Sequence, residues 1–206
     1  MYAEGMEDCD LALILAFDCS ASVRLEQFVL MTTGTAAALR DPDIAAGLTG
    51  GPQGATLAAL LLWSGPGAQE VMVDWTRLAS PADVTQFAQA VEDVPRILRA
   101  TTTAIGEALI ACTRLLAQAP AAGRRQVIDL VGDGRSNGGV APQRVRDRLV
   151  EAGITINGLC VLHEEPDLLA TYTDEVIGGP GSFALQCQDF SGFADAMRQK
   201  LQREIA

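Results

Sequence analysis

The segment Asp18-Cys19-Ser20-Ala21-Ser22 places a carboxylate and two hydroxyls at positions i, i+2 and i+4, directly after an apolar run. In a turn leaving a strand, residues at that spacing converge on one point while Cys19 and Ala21 face away. A second carboxylate, Asp133, follows another apolar stretch in Gly132-Asp133-Gly134-Arg135-Ser136-Asn137, and Thr101, Thr102 and Thr103 precede a helical segment between the two. Two carboxylates and several hydroxyls, with no soft ligand, suit a hard cation. Mg²⁺ takes about six oxygens near ~2.1 Å and keeps waters among them. Side chains alone would leave such an ion unsaturated, with a position open to an incoming carboxylate. Taken singly, Ser20 and Ser22 are equally caps of the following helix, and Asp18 and Asp133-Gly134 equally turn residues. The cation reading requires all three clusters to meet.

The elements that would bring them together are legible in the apolar pattern. Leu11–Phe17 and Leu57–Trp63 are continuous apolar runs of seven residues, as expected of strands buried on both faces. Gln69–Trp75 alternates and follows the turn Ser64-Gly65-Pro66-Gly67, which predicts a hairpin with the preceding strand. Gln126–Val131, Ile154–Val161 and Ser182–Leu185 complete six predicted strands. Helices are predicted over Leu25–Arg40, from Ser80-Pro81-Ala82-Asp83 onward, up to about Ala117, around Val145–Val150, over Leu168–Val176, and along the face Phe190, Phe193, Ala194, Met197, Leu201 and Ile205. Strands interleaved with helices make an α/β fold: a three-layer α/β/α arrangement around a doubly wound, mostly parallel six-stranded sheet with one antiparallel edge strand. No linker, repeat or low-complexity tract divides residues 1–206, so a single domain is expected. In an open sheet of this kind ligands sit outside the carboxyl ends of the strands, where the three oxygen clusters fall.

Composition narrows the function. The net charge is −11, and the basic residues are 14 Arg and a single Lys, Lys200. That balance argues against nucleic acid or an anionic membrane as partner. There is no GxxxxGK[ST] phosphate loop, and the one His, His163, leaves little for nucleophilic triads or a His-rich zinc site. His163-Glu164-Glu165 reads as a solvated acidic loop. No apolar run approaches the ~20 residues of a membrane span. The five cysteines, Cys9, Cys19, Cys112, Cys160 and Cys187, lack CxxC spacing. Cys112 and Cys160 read as buried structural thiols, and a bridge between two of the others is expected only in an exported chain.

The ordered motifs resemble those of von Willebrand factor type A and integrin inserted domains: Asp18-Cys19-Ser20-Ala21-Ser22 matches DxSxS, Thr101-Thr102-Thr103 the loop threonine before a helix, and Asp133-Gly134 the aspartate after a buried strand. The resemblance spans nearly the whole chain. It implies a metal-ion-dependent adhesion site in which Asp18, Ser20, Ser22, Thr101 and Asp133 hold Mg²⁺ or Mn²⁺, with Ca²⁺ a further candidate. Thr101 is preferred to Thr103 because the family's ligand is the first threonine of its TxT pattern, although Arg99-Ala100 stands where the family usually has Gly nearby. Other segments, such as Gly153-Ile154-Thr155-Ile156-Asn157-Gly158-Leu159, are similar to a bacterial branch of that superfamily whose members commonly carry export signals. A removed signal near Ala3 would imply a secreted or periplasmic protein; otherwise the location is cytoplasmic.

The expected function is therefore a divalent-cation-dependent, adhesion-type protein-binding module, not an enzyme, whose partner offers an Asp or Glu to the cation. The alternatives are a Mg²⁺-dependent hydrolase or phosphatase of a doubly wound fold and a non-catalytic subunit of an ATP-driven complex. The phosphatase pattern DxDx[TV] is broken at Ser20, and its lysine has no counterpart, since Lys200 lies in the terminal helix.

Overall fold

The computed structural model describes residues 8–97 and 102–205. Its centre is β1 (Cys9–Asp18), which pairs in parallel with β2 (Thr56–Trp63) on one side and with β4 (Gly123–Gly132) on the other. β3 (Gln69–Leu78) runs antiparallel to β2 at one edge. β5 (Thr155–Val161) and β6 (Ala184–Cys187) extend the sheet in parallel beyond β4, giving the order β3-β2-β1-β4-β5-β6. The expected mostly parallel six-stranded sheet with an antiparallel edge strand is what forms.

Alternation along β1 divides the interior into two cores. Leu11, Leu13, Leu15 and Phe17 pack with α1 (Leu25–Leu39), α2 (Pro42–Thr49), α3 (Pro81–Glu92) and α7 (Phe193–Glu204). Ala12, Ile14 and Ala16 face the other core, with α4 (Ile105–Ala117), α5 (Pro142–Glu151) and α6 (Leu168–Thr171). A strand covered on both faces has no solvated side, which is why its sequence is apolar throughout. Burying each such Leu or Phe contributes about 1.5–3 kcal/mol.

Local chemistry sets the helix ends. Ser80 is the N-cap of α3: its hydroxyl accepts from the Asp83 amide at 3.3 Å, and Asp83 Oδ2 accepts in return from the Ala79 amide at 3.1 Å. The inward face of α3, Val84, Phe87, Ala88 and Val91, is buried. Asp41-Pro42, which follows the helix predicted over Leu25–Arg40, starts α2: Asp41 accepts from the Asp43 amide at 2.9 Å with Pro42 at the first turn, and Ile44 and Leu48 are buried beneath. The helix predicted over Leu168–Val176 is α only to Thr171. It continues as a π-helical turn, Tyr172–Val176, closed by the Ile177 amide donating to the Tyr172 carbonyl at 2.9 Å. β6 lies two residues later than Ser182–Leu185. All five cysteines are buried free thiols, so the bridge expected of an exported chain is not formed.

On α7, Phe193, Met197 and Leu201 are buried as predicted, whereas Ala194 is exposed. Lys200 and Glu204 are buried on the same helix: Lys200 Nζ lies 2.5 Å from Asp129 Oδ1 of β4 and 3.1 Å from Glu204 Oε1. Asn157 of β5 donates to Glu204 Oε1 at 2.6 Å, which ties the helix to two central strands.

Candidate metal centre

The order of the sheet reverses between β1 and β4, since the chain leaves β1 for β2 on one side and reaches β4 on the other. Phe17 pairs with Val131, so Asp18 lies beside Gly132, with Asp133 one residue beyond. The two carboxylates therefore meet at the carboxyl-end crevice of a doubly wound sheet.

The turn after β1 is held by backbone contacts. The Cys19 amide donates to the Trp63 carbonyl at 2.8 Å, the Val23 amide to the Ser20 carbonyl at 3.2 Å, and the Ser20 amide to Asp18 Oδ1 at 2.7 Å. Arg96 Nη2 reaches over and donates to the carbonyls of Cys19 and Ser20 at 3.2 and 3.0 Å. Ser20 Oγ and Ser22 Oγ stand 3.2 Å apart, and Ser22 Oγ donates to Asp133 Oδ1 at 2.7 Å. Neither serine caps α1, whose N-cap is Arg24; its amide donates to Gln27 Oε1 at 2.7 Å. Thr103 Oγ1 donates to Ser20 Oγ at 3.3 Å. Asp18, Ser20, Thr103 and Asp133 are buried, and Ser22 is half-buried at the mouth.

Four of the five predicted ligands, Asp18, Ser20, Ser22 and Asp133, are thus gathered within hydrogen-bonding reach of one another. Thr101 lies outside the described residues. Thr103, set aside in favour of Thr101, touches Ser20 and is clamped by its neighbours. Its amide donates to Asn137 Oδ1 at 2.8 Å, its carbonyl accepts from the Asn137 amide at 2.9 Å, and the following Ala104 amide donates to the Ser64 carbonyl at 2.9 Å. Ser136 and Asn137 carry that clamp, Ser136 Oγ donating to the Thr103 carbonyl at 3.4 Å and accepting from the Ile105 amide at 3.3 Å. Arg135 pairs with Glu165 at 2.6 Å across the acidic loop.

Burial dominates the electrostatics, with Ser20 and Arg96 opposing it at Asp18. Burial, reinforced by the Asp133 carboxylate, pushes Asp18 up to about 7. Burial also raises Asp133, against the lowering effect of its bond from Ser22. Asp18 Oδ2 and Asp133 Oδ2 are buried with no hydrogen-bond partner. Two like charges held close in a dry site favour taking up a proton or a cation. Oxygens of this kind, two carboxylates with neutral hydroxyls, fit a hard divalent ion. Among the described residues no group of three or more His, Cys, Asp or Glu forms a metal cluster; the further oxygens beside the two carboxylates are the hydroxyls of Ser20 and Ser22.

Tyr172 is a neighbour that motif reading missed. Its hydroxyl is buried without a partner, and a Cβ built on Gly132 would lie 2.5 Å from it and 3.3 Å from Asp18 Oδ2. Gly158 opens space for the same ring, since a Cβ there would meet Tyr172 Cδ1 at 2.8 Å. Glycines on two adjacent buried strands were the available signal.

The family described as "Protein of unknown function (DUF1194)" matches residues 8–206. The chain belongs to the DUF1194 family. No curated protein matches it. The fold of this DUF1194 chain is that of von Willebrand factor type A domains. It superposes on proximal thread matrix protein 1 from the mussel byssus with a zinc-occupied metal-ion-dependent adhesion site motif, at TM-score 0.65, 17% identity, and 97% coverage of this chain and 50% of that one. A von Willebrand factor type A protein from Catenulispora acidiphila matches at TM-score 0.62 and 18% identity, over 94% of this chain and 42% of that one. The vWF domain of the type V pili tip protein Mfa5 from Porphyromonas gingivalis matches at TM-score 0.63 and 10% identity, over 94% of each chain. The DUF1194 chain spans about half the length of the mussel protein structures. Among the described residues no helix is long and apolar enough to cross a membrane.

Proposed function

We propose that this protein is a divalent-cation-dependent adhesion module that binds a partner protein through an Asp or Glu side chain. The observation that carries the reading is the pair of buried, unpartnered carboxylate oxygens of Asp18 and Asp133, faced by the hydroxyls of Ser20 and Ser22. Asp18, Ser20, Ser22 and Asp133 would hold Mg²⁺ or Mn²⁺, with Thr101 as the fifth oxygen that the resemblance implies and Thr103 positioning Ser20. When bound, the ion supplies a positive charge that can accept a partner's carboxylate where bare Asp side chains would repel it. Ser22 marks the approach, because among the described members of the set it alone is half-buried.

Adhesion-type neighbours with this fold, including a pilus-tip domain and a byssal matrix protein, support a binding role and an extracellular location. The zinc-occupied motif of the byssal protein supports divalent-cation binding. A hydrolase reading gains nothing from the site: position 20 is Ser, and Lys200 is buried against Asp129 in another part of the molecule.

Titration of Mg²⁺ and Mn²⁺ by calorimetry into wild type and Asp18→Ala tests the reading. Binding to wild type alone is expected, and equal binding to both removes the site. A phosphoester panel with Mg²⁺ should give no turnover that depends on Asp18; clear turnover would replace the adhesion reading with a hydrolase.

A further inference from the structure

A groove of about 530 Å³ runs between α4 and α5 on the second face of the sheet. Its apolar floor is formed by Ile110, Val145 and Leu149, and Val140, an exposed large apolar residue, stands at one end. Arg114 of α4 and Arg144 and Arg148 of α5 form its rim, and no acidic residue lines it. All three arginines are exposed, and among the described residues none makes a side-chain hydrogen bond or ion pair. Some other arginines are engaged, Arg40 with Glu92, Arg135 with Glu165, and Arg146 of α5 with Asp147 and with the carbonyls of Asp174 and Ile177; Arg24, Arg124 and Arg198 are exposed as well, so what distinguishes the three is their gathering around one apolar trough.

Arg148, in the last turn of α5, suits the helix dipole, but Arg144 does not. Arg144 and Arg148 are spaced i,i+4 and repel each other by a few tenths of a kcal/mol. Arg144 stands in the first turn of α5, at the positive end of the helix dipole, with no acidic residue there to offset it. In a chain of net charge −11, three unpaired cations gathered around one apolar trough form a local reversal of sign. Complementarity then requires an occupant that is apolar on one side and acidic along its flanks.

We infer that the α4–α5 groove is a docking site for an acidic amphipathic helix of a partner protein, laid along the trough with its apolar residues on Ile110, Val145 and Leu149 and its carboxylates against Arg114, Arg144 and Arg148. Two helices flanking an apolar trough are the geometry of helix-in-groove recognition, read by anchors at i, i+3 or i+4, and i+7. An anionic bilayer fits less well. Polybasic attraction amounts to about 1 kcal/mol per basic residue, and the chain as a whole carries a net charge of −11. The site is separate from the candidate metal centre and does not depend on it.

The test uses the full chain and a synthetic, fluorescently labelled 16-residue peptide with Leu at i, i+3/i+4 and i+7 and Glu at the flanking positions. A control peptide of the same composition has its Leu residues scattered around the helix. Anisotropy titration should show binding of the first and not the second. Binding should weaken about tenfold or more in Arg144→Glu/Arg148→Glu, weaken with Val140→Asp, and stay unchanged in Asp18→Ala or with chelator. The inference is overturned if neither peptide binds at millimolar concentration, if both bind equally, or if charge reversal leaves affinity unchanged. It is equally overturned if light scattering shows a dimer that the double variant abolishes, or if vesicles containing phosphatidylserine bind wild type and not the double variant.

Discussion

Replacing Asp18 with Asn should make the metal-free protein more stable at pH 8 while removing its response to Mg²⁺. In the unfolded chain the Asp18 carboxyl ionises near its ordinary value of 3.8; in the folded chain burial and the facing Asp133 hold it protonated up to about 7. Between those values folding takes up a proton, so the stability from this group is fully present below about pH 4 and is lost as pH rises to about 7. About three pKa units at 1.36 kcal/mol each amount to roughly 4 kcal/mol of buried-charge penalty at pH 8. Asn carries no charge. Its carbonyl can still accept from the Ser20 amide, and its amino group lies where Asp18 Oδ2 has no partner. Because that group must itself be accommodated, a gain of about 2 to 4 kcal/mol is expected.

Urea denaturation in EDTA reads this directly. With a slope of about 2 kcal/mol/M, the variant's midpoint at pH 8 should lie about 1 to 2 M above that of wild type, and the difference should shrink toward zero at pH 4. Saturating Mg²⁺ should stabilise wild type at pH 8, by about 2.7 kcal/mol at a hundred times Kd, and leave the variant unmoved. A variant less stable than wild type in EDTA at pH 8, or a wild type equally stable at pH 4 and 8 relative to the variant, would refute the claim that the Asp18 charge is a burden relieved by a cation.

Gly132→Ala should destabilise by about 1 to 3 kcal/mol, because the new methyl meets the Tyr172 hydroxyl at 2.5 Å. The same substitution in a Tyr172→Phe background should be milder, and a double-mutant cycle with no coupling would show that the hydroxyl is not what the methyl strikes. Lys200→Met should cost about 3 to 5 kcal/mol, since it leaves the Asp129 and Glu204 carboxylates buried together without their cation. Burial and Glu204 already raise Asp129, and the missing ammonium raises it further, so the loss should be larger at pH 8 than at pH 5; thermal melts at the two values check it.

What sequence made legible was whatever rests on a local pattern. Strands apolar on both faces, the Ser80 capping signal and the three oxygen clusters each announce themselves within a few residues. What it concealed rests on pairing at a distance. By helical spacing Lys200 and Glu204 fall seven and eleven residues after Phe193, on the same buried face, yet their charges argue for solvent. The complement, Asp129 in the apolar run of β4, looks equally misplaced until the two are joined. Tyr172 is similar, since its position depends on a π turn and on glycines in two other strands. Pro42 misled for a different reason: the same residue ends one helix and opens the next, and only the Asp41 cap separates the two roles.

The division of labour within the candidate site also bears on how it would work. Its shape is set by groups that carry no charge into it: the Trp63 carbonyl on Cys19, the Ser64 carbonyl on Ala104, and the Asn137 side chain on Thr103. Arg96 binds the backbone of the turn from outside and makes no hydrogen bond to the carboxylates. The charge sits on Asp18 and Asp133, whose inner oxygens are left without partners by those same restraints. A site built this way holds its oxygens in place before any ion arrives, so little ordering entropy stands against binding. Burial raises both of these ionisable groups, and positive charge brought to them would lower that cost. Helix capping would distribute the bonds differently, with Ser20 or Ser22 accepting from the first amides of α1. Instead Ser22 donates to Asp133 across 111 residues of sequence, a long-range bond that ties the turn after β1 to the end of β4 and that capping of α1 would not make.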